Sequence, residues 1–143
     1  MPRFLLASLL ALVAAPALAA GYTPQVNYML NCMGCHLPDG AGSKPNDTPR
    51  MKDFVGYFLK VPGGRQYLIQ VPGSSQSRLD DADLAALMNY IIEEIGGPSR
   101  PADFVPYTAA EVTRYRAEKL MDVKGTRARL IRELQALGIE EAP

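Results

Sequence analysis

The apolar positions of the chain form one almost unbroken run, followed by several stripes at helical spacing. The run opens the sequence, MPRFLLASLLALVAAPALAA, with Arg3 as a short positive lead and an apolar stretch over residues 4–15. That length suits the apolar region of an export signal and is short for a membrane span. Ala17-Leu18-Ala19 is an A-x-A cleavage site, so residues 1–19 read as a signal peptide and the mature chain is expected to begin at Ala20. The alternative is an uncleaved anchor. Against it stand the small residues crowding the end of the run and the lack of a basic stop-transfer cluster. With no twin arginine, the expected route is general export, and the expected location is the periplasm of a Gram-negative cell. No later stretch is long and apolar enough to span a bilayer.

The stripes predict a helical protein. Pro24 suits a first helical turn, and Val26, Met29 and Leu30 mark an apolar face over 24–31. Residues 37–49 carry Pro38, Gly40, Gly42, Pro45 and Pro49 and read as a loop. Phe54, Val55, Phe58 and Leu59 predict a helix over 51–60, ended by Pro62-Gly63-Gly64. A short helix is expected over 64–70, stopped by Val71-Pro72-Gly73. The strongest helix follows Leu79. Asp80 or Asp81 caps it, Leu84, Leu87, Met88, Ile91, Ile92 and Ile95 form its buried stripe, and Gly96-Gly97-Pro98 stops it. Residues 96–106 read as an extended linker. Thr108-Ala109-Ala110-Glu111 is a capping box opening a helix to about Leu120. A last helix is expected over 126–137, with Leu130, Ile131, Leu134 and Leu137 on one face.

Composition narrows the chemistry. The 143 residues balance 15 basic against 15 acidic side chains, which argues against a nucleic-acid binder. Two cysteines exclude a disulfide-rich scaffold, and one histidine excludes a multi-histidine metal site. All three residues fall in one motif, Cys32-Met33-Gly34-Cys35-His36. C-x-x-C-H is the attachment motif of c-type haem: each thiol adds to one vinyl group, and the histidine is placed to ligate the iron. A zinc knuckle lacks a second ligand pair. A thioredoxin-type pair lacks its βαβ setting, and a Cys32–Cys35 disulfide leaves His36 without a role.

Residues 21–95 resemble a class I cytochrome c domain. The resemblance rests on a first helix leading into CMGCH, the Gly-rich loop LPDGAGSKP, the step Thr48-Pro49-Arg50-Met51, and the closing helix LDDADLAALMNYI with its aromatic Tyr90. It implies an all-α haem domain, assigned to residues 20–97, with first and last helices crossed and one covalently attached haem c; residues 98–143 lie beyond the match and read as a proline-containing linker and helical tail. It also implies that the Pro49 carbonyl accepts the ring N–H of His36, a contact that orients the ligand.

The chain departs from that family at the sixth iron ligand. The family draws a methionine from the loop before the closing helix, and here residues 68–77, LIQVPGSSQS, hold neither Met nor His. Met51 is taken as the first candidate, ahead of Met121 and Met88. A water-ligated or five-coordinate iron, or a weak ligand such as Gln70 or Tyr67, is the alternative. Arg65 is the expected partner of a haem propionate, since guanidinium forks onto carboxylates; a solvated surface arginine is the competing reading.

The neutral balance hides an asymmetry. From Glu111 to Arg132 there are seven basic and three acidic residues, whereas the closing helix carries Asp80, Asp81, Asp83, Glu93 and Glu94 with no base. The tail either straps back onto that helix, docks an acidic redox partner, or stands as a solvated hairpin packed by its leucines. No acid–base constellation for an enzyme is visible. The expected function is electron transfer with redox partner proteins, a dehydrogenase or an oxidase. A labile sixth site that binds a small ligand or senses redox state is the alternative.

Overall fold

The computed structural model describes residues 21–140, so the expected signal peptide lies outside the described residues. Seven α-helices are found among them: α1 (Pro24–Asn31), α2 (Met33–His36), α3 (Gly64–Gln70), α4 (Pro72–Ser75), α5 (Asp81–Tyr90), α6 (Ala109–Ala117) and α7 (Val123–Ala136). No strand occurs among the described residues beyond an isolated Ser43–Thr48 bridge. The protein is all-α.

The helix ends follow local chemistry. The Thr23 hydroxyl accepts from Val26 N and Pro24 fills the first turn, so α1 has the predicted bounds. Asp80 caps α5 through Asp83 N at 2.8 Å. The predicted box at Thr108 and Glu111 opens α6. Helix α7 starts three residues earlier than expected, because the Asp122 carboxylate accepts from Gly125 N and caps it.

The closing helix organises the core. Its predicted stripe, Leu84 to Ile95, is buried throughout, and its last turn widens into a π turn over Ile91–Ile95. Helix α1 crosses one side, where the rings of Tyr28 and Tyr90 lie 6.1 Å apart, and α6 packs on the other. The predicted face of α1 is corrected here. Asn27 and Tyr28 are its buried residues, while Met29 and Leu30 are exposed.

A second correction concerns residues 51–60. They form a 3-10 helix over Val55–Lys60 rather than an α-helix. The apolar side chains still reach the core, with Phe54 and Phe58 in edge-to-face contact at 5.8 Å. Tight backbone contacts account for the difference. A Cβ at Gly64 would overlap the Phe58 carbonyl, and Gly56 donates to Ser99 Oγ at 2.9 Å. Such neighbours set the turn, and a hydrophobic period alone does not reveal them.

Candidate haem-attachment site

Cys32 is the one-residue joint between α1 and α2, and Cys35 and His36 follow within α2, so the three residues share one compact stretch. Both thiols are free: Cys35 is exposed and Cys32 half-buried. Burial, then the neighbouring Cys35, pushes the Cys32 thiol up to about 11, which keeps it protonated at neutral pH. Burial also lowers the pKa of His36, opposed by its bond to Pro49, so the imidazole is held neutral.

The ring has a defined orientation. His36 Nδ1 lies 3.0 Å from the Pro49 carbonyl oxygen. A carbonyl only accepts, so Nδ1 carries the proton and the lone pair of Nε2 is left for a metal. This is the contact the resemblance implied. The backbone reinforces it: Gly42 N donates to His36 O at 3.0 Å, and Gly40 O accepts from Met51 N and Lys52 N at 2.8 and 2.9 Å. Gly42 sits at φ +75, and a Cβ there would come within 2.8 Å of the Pro49 carbonyl that holds the ring. Asp53 N donates to Ile95 O at 3.0 Å and anchors the same loop on the end of the closing helix.

The residues present fit a haem c. Two free thiols two residues apart and an imidazole with its far nitrogen available are the donor set that group needs. The apolar surface agrees. Of the large exposed hydrophobic residues, Met29, Leu30 and Leu37 all flank the motif, and exposed apolar clusters mark places where something binds.

The curated relatives decide the family. The chain is 30% identical to a cytochrome c-552 of Thermus thermophilus over 151 aligned positions, which span 93% of this chain and 98% of the relative. It is 32% identical to a second Thermus thermophilus cytochrome c-552 over 127 positions, spanning 76% and 92%. The chain belongs to the c-type cytochromes. No family model matches it. Like other members, the cytochrome carries haem c covalently and serves electron transfer. No described helix is long and apolar enough to cross a membrane.

The other candidate residues of the cytochrome are placed elsewhere. Met51 is half-buried, and its backbone N donates to Gly40 O in the loop whose Pro49 carbonyl holds His36. Met121 is 87% exposed in the turn between α6 and α7. Met88 is buried in α5, with the Ser74 hydroxyl 4.0 Å from its sulfur. The Gln70 amide donates to Glu118 O at 3.0 Å.

Arg65 is engaged by the tail. Its Nε and Nη2 both reach Glu111 at 2.9 Å, while Nη1 and Nη2 donate to the carbonyls of Val105 and Pro106. The guanidinium also lies over the Tyr107 ring, 4.0 Å from its centroid. Both edges of the fork are committed to the tail rather than to a propionate.

Arg116 is the counterpart that sequence reasoning missed. From α6 it donates to Leu79 O, Ser77 O and Oγ, and Ser74 O, and pairs with Asp81 at 2.7 Å. The segment leading into the closing helix is therefore pinned from the tail. The only sequence signal was the basic run itself, which does not say which member has a partner.

Proposed function

We propose that the cytochrome is an exported one-electron carrier, or a haem c subunit of an oxidoreductase, that works between redox partner proteins outside the cytoplasm. Residues 20–97 form the haem domain, and residues 98–143 a tail that braces it. Cys32 and Cys35 attach the haem, and His36 ligates it from one side. When bound, haem c supplies an iron that cycles between ferrous and ferric states. The chain holds the ligating ring neutral and oriented, and surrounds the site with low-dielectric side chains that set the potential. The observation that carries this reading is the bond from His36 Nδ1 to Pro49 O beside two free thiols.

The test is direct. The mature chain, produced with a haem c maturation system, is expected to keep its haem through acid–acetone extraction and to show a reversible one-electron couple on an electrode. Replacing Cys32 and Cys35 together by alanine should leave the haem extractable. Haem that washes out of the wild-type chain, or a chain with no reversible couple, would overturn the reading.

The methionine placements favour a second reading of the sixth position, in which a small exogenous ligand has access to the iron. Met121 faces solvent, Met88 is buried in the closing helix, and the segment before that helix has no sulfur or imidazole donor. Rapid carbon monoxide binding by the reduced, high-spin protein is the expected sign. A sulfur-to-iron charge-transfer band with no such binding would rule this second reading out and leave the carrier standing.

A further inference from the structure

The backbone just past the histidine adopts a conformation that side-chain-bearing residues avoid. Leu37 has φ 68 and ψ 163, a region populated essentially by glycine. Such a conformation persists only where its surroundings hold it. Here the hold is specific. The Leu37 carbonyl accepts from the Tyr28 hydroxyl at 2.7 Å and from Gly40 N at 3.2 Å, while Leu37 N donates to Met33 O at 2.9 Å.

Tyr28 is well placed for this work. It lies one helical turn before Cys32 on α1, its side chain is 2% exposed, and its ring is wedged against Tyr90 of the closing helix. Burial raises its hydroxyl pKa to about 12, so it remains a donor at any working pH. The contact joins α1 to the segment after the motif. Gly40, the second donor to Leu37 O, in turn accepts from the residues just past Pro49, whose carbonyl fixes the imidazole.

We propose that Tyr28 is a positioning residue for His36: its hydroxyl holds the Leu37 carbonyl, and through that strained link sets the angle at which the imidazole meets the iron. The proposal rests on the haem site described above. It separates Tyr28 from a purely packing role, because a phenylalanine fills the same space against Tyr90 and loses only the hydrogen bond.

The experiment uses the full mature holoprotein and the variants Tyr28→Phe, Leu37→Gly and the two combined. Tyr28→Phe should raise the midpoint potential, because a poorly aligned imidazole donates less to ferric iron, and should lower the iron–histidine stretching frequency in resonance Raman spectra. Glycine at 37 adopts the same backbone without being held. Leu37→Gly also trims the apolar surface beside the motif, so it serves as the reference: adding Tyr28→Phe to it should shift neither value further. A Tyr28→Phe protein with full covalent haem but an unchanged potential and Raman band overturns the proposal. So does a double variant shifted from Leu37→Gly as far as Tyr28→Phe is from wild type. If Tyr28→Phe fails to mature, a double variant that matures with the values of Leu37→Gly supports the proposal, and one that also fails overturns it. A wild-type chain that holds no covalent haem defeats the site reading itself, which is a distinguishable result.

Discussion

The haem domain and the tail are both helical, yet they are held by different means. In residues 21–97 the buried side chains form a continuous apolar cluster spanning Tyr28, Phe54, Phe58, Ile69 and the stripe of α5. The tail adds Tyr107, Val112, Leu130 and Leu134 to that cluster, packs half-buried Phe104, Tyr115, Leu120, Val123, Ile131 and Ile139 against it, and adds polar clamps. Arg65 reaches out of the haem domain to Glu111, Arg116 reaches back in to Asp81 and the 74–79 segment, and Asn89 exchanges two hydrogen bonds with the backbone of Tyr107. Apolar burial is non-directional, whereas forked arginine bonds fix a register. The tail thus rests on an apolar footing and is set in register by a few clamps.

The largest test of that contrast is to remove the tail. Truncation after Gly97 takes away four buried apolar side chains and both arginine clamps. Each fully buried side chain contributes about 1.5–3 kcal/mol, so the loss is several kcal/mol. The melting temperature should fall by roughly 10 °C or more, with the visible spectrum altered by exposure of the 74–79 segment. An unchanged melting point and spectrum would mean that the tail is not a strap.

A smaller effect is expected from one clamp. Arg116→Ala releases three backbone carbonyls, the Ser77 hydroxyl and the Asp81 carboxylate. The expected loss is about 1–3 kcal/mol, together with faster amide exchange across residues 74–79. A fall in stability without faster exchange would show that Arg116 packs but does not pin.

These clamps also mark where sequence reasoning ended. The bounds of α1, the cap at Asp80 and the box at Thr108 were legible, because each lies within four residues of the group it satisfies. His36 and its cysteines were legible because the chemistry demands their spacing. The basic run of the tail was legible as charge, but not as geometry: Arg116 finds Asp81 across 35 positions and Arg65 finds Glu111 across 46. The polarity was half reversed as well, since one of the two arginines belongs to the haem domain and its acid to the tail. Leu37 and Tyr28 gave no local signal, because a positive φ at leucine is imposed by its partners.

Acid should loosen the tail before the haem domain. The Arg65 hydrogen bonds, and then Thr108 N, hold the Glu111 carboxyl below its usual value. A depressed folded-state pKa means that its stabilisation is complete above the ordinary glutamate value of about 4.3 and is lost as pH falls through the lower folded value. Asp81 acts in the same sense, through Thr113 and then Arg116. Melting curves from pH 7 down to about pH 3 should show a stability decline that is shallower in Glu111→Gln. An equally steep decline in that variant would place the acid sensitivity outside the Arg65 clamp.

The smallest effect separates a clamp from a contact. Lys124 Nζ lies 2.9 Å from Asp47, the same distance as in the Arg65–Glu111 pair, but the two side chains are 89% and 83% exposed. Water and salt screen such a pair, and holding two mobile side chains together costs entropy that the attraction barely offsets. Lys124→Ala should leave the melting temperature where it is, at low salt and at high. The same substitution at Arg116, whose side chain is 17% exposed and donates to several acceptors at once, should not. If the two variants melted alike, burial and multiple bonding would not be what distinguishes the tail's anchors, and the arginine clamps would be no more than surface ion pairs.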